Sequence, residues 1–186
     1  MSAFDKTISQ RNGPVILQVL PSLRTGGAER GCVDIAAAII EAGGTALVAS
    51  NGGDMVHDLD RVGARHFNIP VHSKNPLRMW LNSRKLIKII LEFGVDIVHA
   101  RSRAPAWSCR AACLKAGVHF ITTFHGTYNI TSGLKRRYNA IMTKGERVIA
   151  ISRFIADHIK KEYKIDPARL RVIYRGVDLE RLDPAA

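Results

Sequence analysis

Residues 15–41 read VILQVLPSLRTGGAERGCVDIAAAIIE, an apolar run, a turn with two glycines and an amphipathic segment. The run Val15 to Leu20 has the length and the β-branched content of a strand. From Ala28 to Glu41, apolar side chains recur at i, i+3, i+4, i+7 and i+8, which is typical of one face of a helix. Gly43 and Gly44 then end that helix. This order predicts the first strand-helix unit of a parallel sheet.

The same alternation of short β-branched runs and longer amphipathic segments continues along the chain. The predicted strands are Val15 to Leu20, Ala46 to Ser50, Arg65 to Ile69, Ile97 to Ala100, Phe120 to Phe124, Arg147 to Ile151 and Arg171 to Tyr174. The predicted helices are Ala28 to Glu41, Met55 to Val62, Leu77 to Phe93, Ala104 to Ala116, Gly133 to Thr143 and Arg153 to Tyr163. The sequence therefore predicts an α/β fold, an open parallel sheet of six or seven strands with helices on both faces.

The composition is that of one globular domain, since 46% of the 186 residues are hydrophobic and 24% are charged. No run approaches the roughly 20 apolar residues that cross a bilayer. Residues 1–14 are polar and lack the apolar middle of a signal peptide. We therefore expect a loose tail over residues 1–14, one domain over residues 15–175, and a cytoplasmic location.

Cysteines and histidines give no sign of a metal site. Cys109 and Cys113 stand four apart in a predicted helix, and no partner Cys or His lies at zinc spacing. We interpret all three cysteines of the chain as reduced packing residues. The seven histidines are scattered and form no HExxH pattern. The sequence therefore predicts no protein-bound metal.

The net charge is +12, from 28 Lys and Arg against 16 Asp and Glu. Such a charge attracts nucleic acid, an acidic lipid surface or a phosphorylated substrate, although a basic surface that only keeps the protein soluble also explains it. Nucleic-acid binders usually add exposed aromatic side chains for stacking, and only 6% of these residues are aromatic. Nucleic acid is therefore not predicted as a partner.

Ligands of such a sheet bind outside the carboxyl ends of the strands. After the first strand, Gly26 and Gly27 allow close backbone approach, and the helix that begins at Ala28 directs its free N–H groups to the same spot. A phosphate would fit there, although a plain strand-to-helix turn also accounts for the two glycines. The loop is not GxGxxG, and no acidic residue ends the second strand, which disfavours NAD.

Two other strand ends carry candidate binding residues. His125 follows the fifth strand, where its imidazole could donate to a substrate hydroxyl or phosphate; a hydrogen bond to the loop backbone is the alternative. Arg101 and Arg103 follow the fourth strand and could form a fork for a phosphate or carboxylate. One of these two arginines could instead pair with a surface acid.

Two basic segments also carry apolar side chains, as helices at a membrane surface do. The first runs from Leu134 to Met142, with the basic cluster Lys135, Arg136 and Arg137 beside Tyr138, Ile141 and Met142. The second runs from Leu77 to Trp80 and continues with Arg84, Lys85 and Lys88. For each segment, an amphipathic helix with a solvated basic face is the alternative.

Five segments at the predicted strand ends carry a family resemblance. They are Val19-Leu-Pro-Ser-Leu23 with Gly26-Gly-Ala-Glu29, Asp96-Ile-Val-His-Ala-Arg-Ser-Arg-Ala-Pro105, Thr123-Phe-His-Gly126, Val148-Ile-Ala-Ile-Ser152 and Val172-Ile-Tyr-Arg-Gly-Val-Asp178. Together, and in this order, they resemble the N-terminal domain of glycosyltransferase family 4. The resemblance covers about residues 15–184.

The resemblance implies one Rossmann-like half of a two-domain GT-B enzyme. In such enzymes the N-terminal domain holds the acceptor, a second domain holds a UDP-, GDP- or ADP-sugar, and the anomeric configuration is retained. The nucleotide sugar is then a substrate, and no cofactor is expected. Gly26 and Gly27 would lie near the donor phosphates and the acceptor, and His125 would be the catalytic residue that contacts the donor sugar. The remaining assignments, all to the acceptor side, are Arg101, Arg103, Glu29 and Tyr128.

The segment Arg175-Gly-Val-Asp178 resembles the start of the hinge, so residues 176–186 are predicted to lead to a second domain. Relatives usually have Pro-Asn where Tyr174-Arg175 stands here. The family's second domain carries two glutamates, seven residues apart, that bind the donor ribose and assist the leaving phosphate. Nothing after Asp178 supplies that pair. We therefore expect the chain to be inactive alone.

Within the family, the motif Arg-Ser-Arg-Ala-Pro at residues 101–105 and the strong basicity are similar to those of bacterial enzymes that build the lipopolysaccharide core or envelope glycans. Their acceptors are phosphorylated glycolipids on an anionic leaflet, which implies a peripheral location on the inner face of the membrane. Two alternatives stay open because fold does not fix function. One is half of a GT-B epimerase or phosphorylase, and the other is a non-catalytic Rossmann-like binding domain.

Overall fold

The computed structural model describes residues 13–176, so most of the predicted tail and of the predicted hinge lies outside this range. Residues 13–176 form a seven-stranded sheet. Its strands are β1 Val15–Val19, β2 Thr45–Ser50, β3 Arg65–Asn68, β4 Ile97–Ala100, β5 His119–Phe124, β6 Arg147–Ala150 and β7 Leu170–Val172. The helices are α1 Gly27–Glu41, α2 Val56–Arg61, α3 Pro76–Phe93, α4 Arg103–Ala116, α5 Gly133–Asn139 and α6 Arg153–Tyr163, with 3₁₀ turns at Ala140–Thr143 and Pro167–Arg169.

The strand order is β3-β2-β1-β4-β5-β6-β7, and every neighbouring pair is parallel. The chain proceeds from β1 outward through β2 to β3. It then crosses back to the other side of β1, where β4 is the first strand and β7 the last. A doubly wound sheet places its ligand crevice at this reversal, beside the carboxyl ends of β1 and β4. The predicted α/β class with a Rossmann-like parallel sheet is therefore confirmed.

Helices cover both faces because alternate strand residues point to opposite sides. In β2, Leu47 belongs to the buried layer that contains the side chains of α3, α4 and α6, whereas its neighbours Ala46 and Val48 belong to the layer that contains those of α1 and α2. The apolar stripe of α1 supplies Cys32, Val33 and Ala36 to the second layer. Both layers are thus closed within the described part of the chain.

Capping residues stand at four of the predicted helix ends. Asn75 accepts from the backbone N–H groups of Leu77 and Arg78 at 3.0 and 3.2 Å. Gly94 and Gly117 end α3 and α4 in the left-handed conformation, at φ 55° and 72°. Ser152 accepts from Ile155 and caps α6. These ends set the entry of each following strand.

The element bounds agree with the prediction to within one residue except at two places. The single helix predicted from Gly133 to Thr143 is two elements, because α5 ends at Asn139 and the chain tightens into a 3₁₀ turn. The last strand begins at Leu170 and ends at Val172; Ile173 still donates its N–H to the carbonyl of Ala150 at 3.0 Å, and residues 173–176 then line the cavity described below. Among residues 13–176, no helix is long and apolar enough to cross a membrane.

Candidate functional site

A cavity of about 180 Å³ lies at the carboxyl ends of the central strands. Its walls come from α1, from the ends of β4, β5 and β6, and from the segment after β7. The lining residues are Gly31, Asp34, Ile35, His99, Arg101, Thr123, His125, Ile149, Ile151, Ile173, Tyr174, Arg175 and Gly176. The cavity therefore occupies the crevice that the doubly wound topology predicts.

The imidazole of His125 lines this cavity without a hydrogen-bond partner among the described residues. Both ring nitrogens are buried, and neither has a hydrogen-bond partner within residues 13–176. Burial lowers the pKa of His125 to about 3, and the charges of Arg101 and Arg175 act in the same direction. The ring is therefore neutral at pH 7, with one N–H donor and one acceptor. The alternative in which His125 bonds to the loop backbone does not occur.

Arg101 is a buried cation in the wall of the cavity, with only 6% of its surface exposed. Its Nη1 donates to Oε1 of Gln18 at 2.8 Å and its Nη2 to the carbonyl of Ala28 at 3.3 Å, whereas Nε has no partner. Burial lowers its pKa, but a guanidinium keeps its charge at neutral pH. No carboxylate pairs with it in the described range. Arg101 is thus positioned by neutral groups, and its charge is not balanced.

A second guanidinium, that of Arg175, lies over the start of α1. A Cβ placed on Gly27 would lie 2.8 Å from Nη1 of Arg175. A Cβ placed on Gly31 would lie 2.9 Å from Nη2 of Arg175 and 3.1 Å from Nη2 of Arg101. The predicted glycine loop, the Arg101 region and His125 therefore converge on one edge of the sheet.

His99 and Thr123 form a buried hydrogen-bonded pair behind His125. Nε2 of His99 lies 2.7 Å from Oγ1 of Thr123. Complete burial holds the pKa of His99 well below its usual value, helped by the charge of Arg101 and by His125. The pair is neutral and supports the cavity wall.

Arg103 and Tyr128, both predicted to bind the acceptor, do not line the cavity. Nη1 of Arg103 donates to Oδ1 of Asn139 at 2.9 Å, and its guanidinium lies 4.3 Å from the centre of the Tyr128 ring. The Tyr128 ring packs on Phe124 at 4.9 Å. These contacts tie the loop after β5 to α5, so the two residues position that loop.

Gly26, the first residue of the predicted glycine loop, lies against the side chain of Glu29. Gly26 leaves room for the carboxylate of Glu29, which an added Cβ would meet. Glu29 is half-buried in the first turn of α1 and does not line the cavity. Its predicted contact with an acceptor is therefore not supported by its position.

The predicted membrane segment is exposed only in part. Tyr138 is half-buried, with its ring stacked on Trp107 at 6.0 Å, and Ile141 and Met142 are in the core at 4% and 0% exposure. The expectation that Ile141 and Met142 contact a membrane is wrong, because both lie in the 3₁₀ turn after α5 and point into the core. Arg136 and Arg137 are exposed, and Lys135 is half-buried. Leu134, in the first turn of α5, is an exposed apolar side chain, with 81% of its surface accessible.

Sequence reasoning assigned only Arg101 and His125 among the lining residues to the site, and among those it missed are Gly31, His99, Thr123 and Arg175. Arg175 had a signal, since it departs from the Pro-Asn pattern that the family resemblance implies at Tyr174-Arg175. Gly31 had another, a glycine inside an otherwise regular helix. His99 and Thr123 lie within strands and look like ordinary strand residues in the sequence.

The family model described as Glycosyltransferase Family 4 matches residues 25–181 of the chain. The chain belongs to glycosyltransferase family 4. This confirms the family indicated by the strand-end segments. A search of curated proteins found no match.

Solved structures agree with this membership. A glycosyltransferase from Rickettsia africae ESF-5 is 44% identical at a TM-score of 0.83, over 94% of this chain and 46% of that protein. HepE of Anabaena, in complex with UDP and glucose, is 21% identical at a TM-score of 0.71, over 89% of this chain and 45% of that one. The lipopolysaccharide outer core galactosyltransferase WaaB is 17% identical at a TM-score of 0.67, over 89% of this chain and 46% of that one. The last two likenesses show the fold alone, and the chain spans less than half of each structure.

Proposed function

We propose that this chain is the acceptor-side domain of a retaining glycosyltransferase that moves a sugar from a nucleotide sugar to a glycan or glycolipid. The observation that carries the proposal is the neutral, unpartnered His125 beside the uncompensated Arg101 in one cavity. A neutral imidazole offers a hydrogen bond to a sugar hydroxyl, and a guanidinium stabilises the charge of a departing diphosphate. HepE, which has the same fold, was solved with UDP and glucose, and this supports the choice of substrate class.

The acceptor belongs, in this proposal, to the lipopolysaccharide or envelope glycans. The likeness in fold to WaaB supports it, as does the net charge of +12, which suits phosphorylated acceptors and an anionic membrane surface. The basic cluster of α5, Lys135 to Arg137, in which Arg136 and Arg137 are exposed, would then hold the enzyme at the inner face of the membrane.

A second domain or a partner chain completes the enzyme in this proposal, with residues 176–186 as the start of the connection. The chain spans 46% of the Rickettsia africae glycosyltransferase, which is consistent with half of a two-domain enzyme. No cofactor or metal takes part. The nucleotide, the ribose and most of the diphosphate would be bound outside this chain.

We expect this chain alone to transfer no sugar and to bind UDP-, GDP- or ADP-sugars at best with a dissociation constant in the millimolar range, since most donor contacts are missing. Calorimetric titration with the three donor types measures this. Micromolar affinity for any of them would contradict the assignment of the donor to another domain.

The proposed role of His125 is tested in a polypeptide that joins this chain to a donor-binding domain of the family. His125→Asn is expected to lower kcat/KM for nucleoside diphosphate release by about tenfold, the effect of one lost hydrogen bond. The matched control is His72→Asn, an exposed histidine outside the cavity. Equal losses in both variants would remove His125 from the reaction.

A further inference from the structure

Helices α3 and α4 leave five large apolar side chains exposed to solvent. They are Leu77, Trp80, Leu81 and Leu91 of α3 and Leu114 of α4. The two helices pack against each other, and their buried side chains belong to the same layer of the core. An exposed apolar side chain that stands alone needs no explanation, whereas a group of them on one face is typical of a binding surface.

A groove of about 670 Å³ runs between the two helices. Trp80, Ile87 and Leu91 line it from α3, and Ala111 lines it from α4. From Trp80 to Leu91 this wall covers three helical turns, a length of roughly 16 Å at about 1.5 Å per residue. The single methyl group of Ala111 leaves room on the α4 side. The groove is therefore long enough to hold a helix of about three turns.

The shape of the groove favours a partner helix over a lipid bilayer. Ser83 and Ile87 both line the groove, although Ser83 is buried and Ile87 is half-buried, so these two residues form its floor. A planar lipid surface contacts the ridges on either side of such a floor. The side chains of an amphipathic helix insert between the ridges and reach the floor.

The charge of the groove selects the kind of partner. Together α3 and α4 carry seven Lys and Arg and one acidic residue, Glu92. Three of the basic residues, Arg84, Lys88 and Lys115, line the groove, and none of them pairs with a carboxylate within residues 13–176. A second copy of the chain would bring like charges together at this surface, which opposes association. An acidic partner is attracted by the same charges.

The basic side chains also have a defined arrangement. The guanidinium of Arg84 lies 4.9 Å from the centre of the Trp80 ring, so the cation and the indole form one wall through a cation–π contact. Arg84 and Lys88 stand four residues apart on α3, whereas Lys115 lines the groove from α4. Carboxylates about one turn apart on a partner helix would match the spacing of Arg84 and Lys88.

We propose that the groove between α3 and α4 binds an acidic amphipathic helix of a partner protein. The apolar stripe of that helix packs on Trp80, Ile87 and Leu91, and its carboxylates pair with the basic residues of the groove. The groove shares no lining residue with the cavity at the carboxyl ends of the strands, and it lies on the layer opposite to α1. The proposal is therefore independent of the proposed function.

The probe is a synthetic peptide of about four helical turns, cross-linked between neighbouring turns to hold the helix. Its leucines repeat at i, i+4, i+7 and i+11, and glutamates flank that stripe. The exposed indole of Trp80 becomes buried on binding, so we expect a saturable blue shift of tryptophan emission with a dissociation constant in the micromolar range. The same peptide with lysines in place of the glutamates should give no shift. No shift with the acidic peptide overturns the proposal.

Trp80→Phe identifies the indole that responds, because the chain has only one other tryptophan, the half-buried Trp107. The variant should abolish the blue shift. A shift that persists in Trp80→Phe comes from Trp107, and it would place the peptide outside the groove and overturn the proposal.

The triple change Arg84→Gln, Lys88→Gln and Lys115→Gln should weaken peptide binding by about tenfold in calorimetric titrations, since three exposed ion pairs are lost. The matched control removes three charges of the same two helices that do not line the groove, by glutamine at Arg78, Lys85 and Arg110. Equal losses in the two triple variants would reduce the effect to net charge and contradict a built groove.

Ala111→Phe tests the shape of the groove without a change of charge. Ala111 is exposed, so the larger side chain fills the groove without disturbing the core, and we expect peptide binding to weaken by about tenfold. Leu114→Phe, an exposed position of α4 that does not line the groove, is the control and should bind as the parent does. Unchanged affinity in Ala111→Phe overturns the proposal.

The emission of Trp80 also distinguishes two other occupants. A blue shift with phosphatidylserine vesicles, in place of one with the acidic peptide, would assign the surface to the membrane. A blue shift of the chain alone at rising concentration, lost in Ala111→Phe, would assign the groove to a second copy. Either result overturns the proposal of an acidic partner helix.

Discussion

Lowering the pH from 7 to 5 is expected to destabilise this domain by about 2 kcal/mol through His125 alone. The folded state holds His125 neutral because burial, and then Arg101 and Arg175, lower its pKa to about 3. In the unfolded chain the same side chain takes up a proton near pH 6.5. Protonation therefore favours the unfolded state throughout the interval between these two values.

The sign follows from proton counts. Between pH 6.5 and about 3 the unfolded state binds more protons at His125 than the folded state does, so stability rises with pH across that interval. The stabilisation is present above pH 6.5 and is lost as the pH falls. His99 acts in the same direction, because complete burial holds its pKa well below the usual value. Against a total of about 5–15 kcal/mol for a typical domain, the combined loss is large.

Urea unfolding at pH 7 and pH 5 measures this effect. His125→Asn should flatten the dependence on pH and thus reduce the difference between the two free energies of unfolding by about 2 kcal/mol. His72→Asn, at an exposed position, is the matched control and should keep the dependence of the parent. Parallel pH profiles for the parent and His125→Asn would contradict a neutral buried imidazole.

The fold follows from local sequence signals that the tertiary structure reinforces. The apolar runs become strands because both faces of a parallel sheet are buried, as the two layers around β2 illustrate. Caps such as Asn75, Gly94 and Ser152 end or begin helices through bonds to adjacent backbone, which a sequence displays directly. Boundaries shifted by more than one residue only at the 3₁₀ turn after α5 and at the end of β7, the edge strand.

The cavity could be predicted only in outline. Topology alone brings the ends of β1, β4 and β5 to one edge, so Gly27, Arg101 and His125 were found from their positions after predicted strands. Which way an arginine extends depends on partners remote in sequence. Arg101 extends to Gln18, 83 residues away, whereas Arg103, two residues later, extends to Asn139. No local pattern distinguishes these two arginines.

The segment predicted to contact a membrane, Leu134 to Met142, shows a second reason why sequence prediction fails. The sequence predicts one helix through residues 133–143, but the 3₁₀ turn at Ala140–Thr143 changes the angular spacing, and Ile141 and Met142 lie in the core. Arg136 also bonds to the protein, since its Nε donates to the carbonyl of Glu162 at 2.8 Å. The surface that remains is basic, with Leu134 as its exposed apolar residue.

Replacing the cluster Lys135, Arg136 and Arg137 with glutamine is expected to lower the partition constant for anionic vesicles roughly a hundredfold. Each basic residue near such a surface contributes about 1 kcal/mol, so three contribute about 3 kcal/mol. Salt should weaken binding of the parent in parallel, because the attraction is screened within a Debye length of about 8 Å at physiological ionic strength. Co-sedimentation with vesicles rich in phosphatidylserine, at low and high salt, measures both effects.

Two further variants identify the surface that binds. The double variant Lys135→Gln with Arg137→Gln keeps the hydrogen bond of Arg136 to Glu162. Its loss of binding free energy should be about two thirds of the loss in the triple variant, because two of the three charges are removed. This variant therefore distinguishes the loss of charge from a disturbance of α5. The matched triple change lies in α3, at Arg84, Lys85 and Lys88, beside the exposed side chains of Leu77, Trp80 and Leu81. The guanidinium of Arg84 lies 4.9 Å from the centre of the Trp80 ring, so this second surface also joins a cation to an aromatic side chain.

A loss of vesicle binding confined to the α3 variant would move the membrane contact from α5 to α3. Equal sedimentation of the α5 triple variant and the parent at low salt would reduce the α5 cluster to a solvated helix face and remove the main physical support for a glycolipid acceptor.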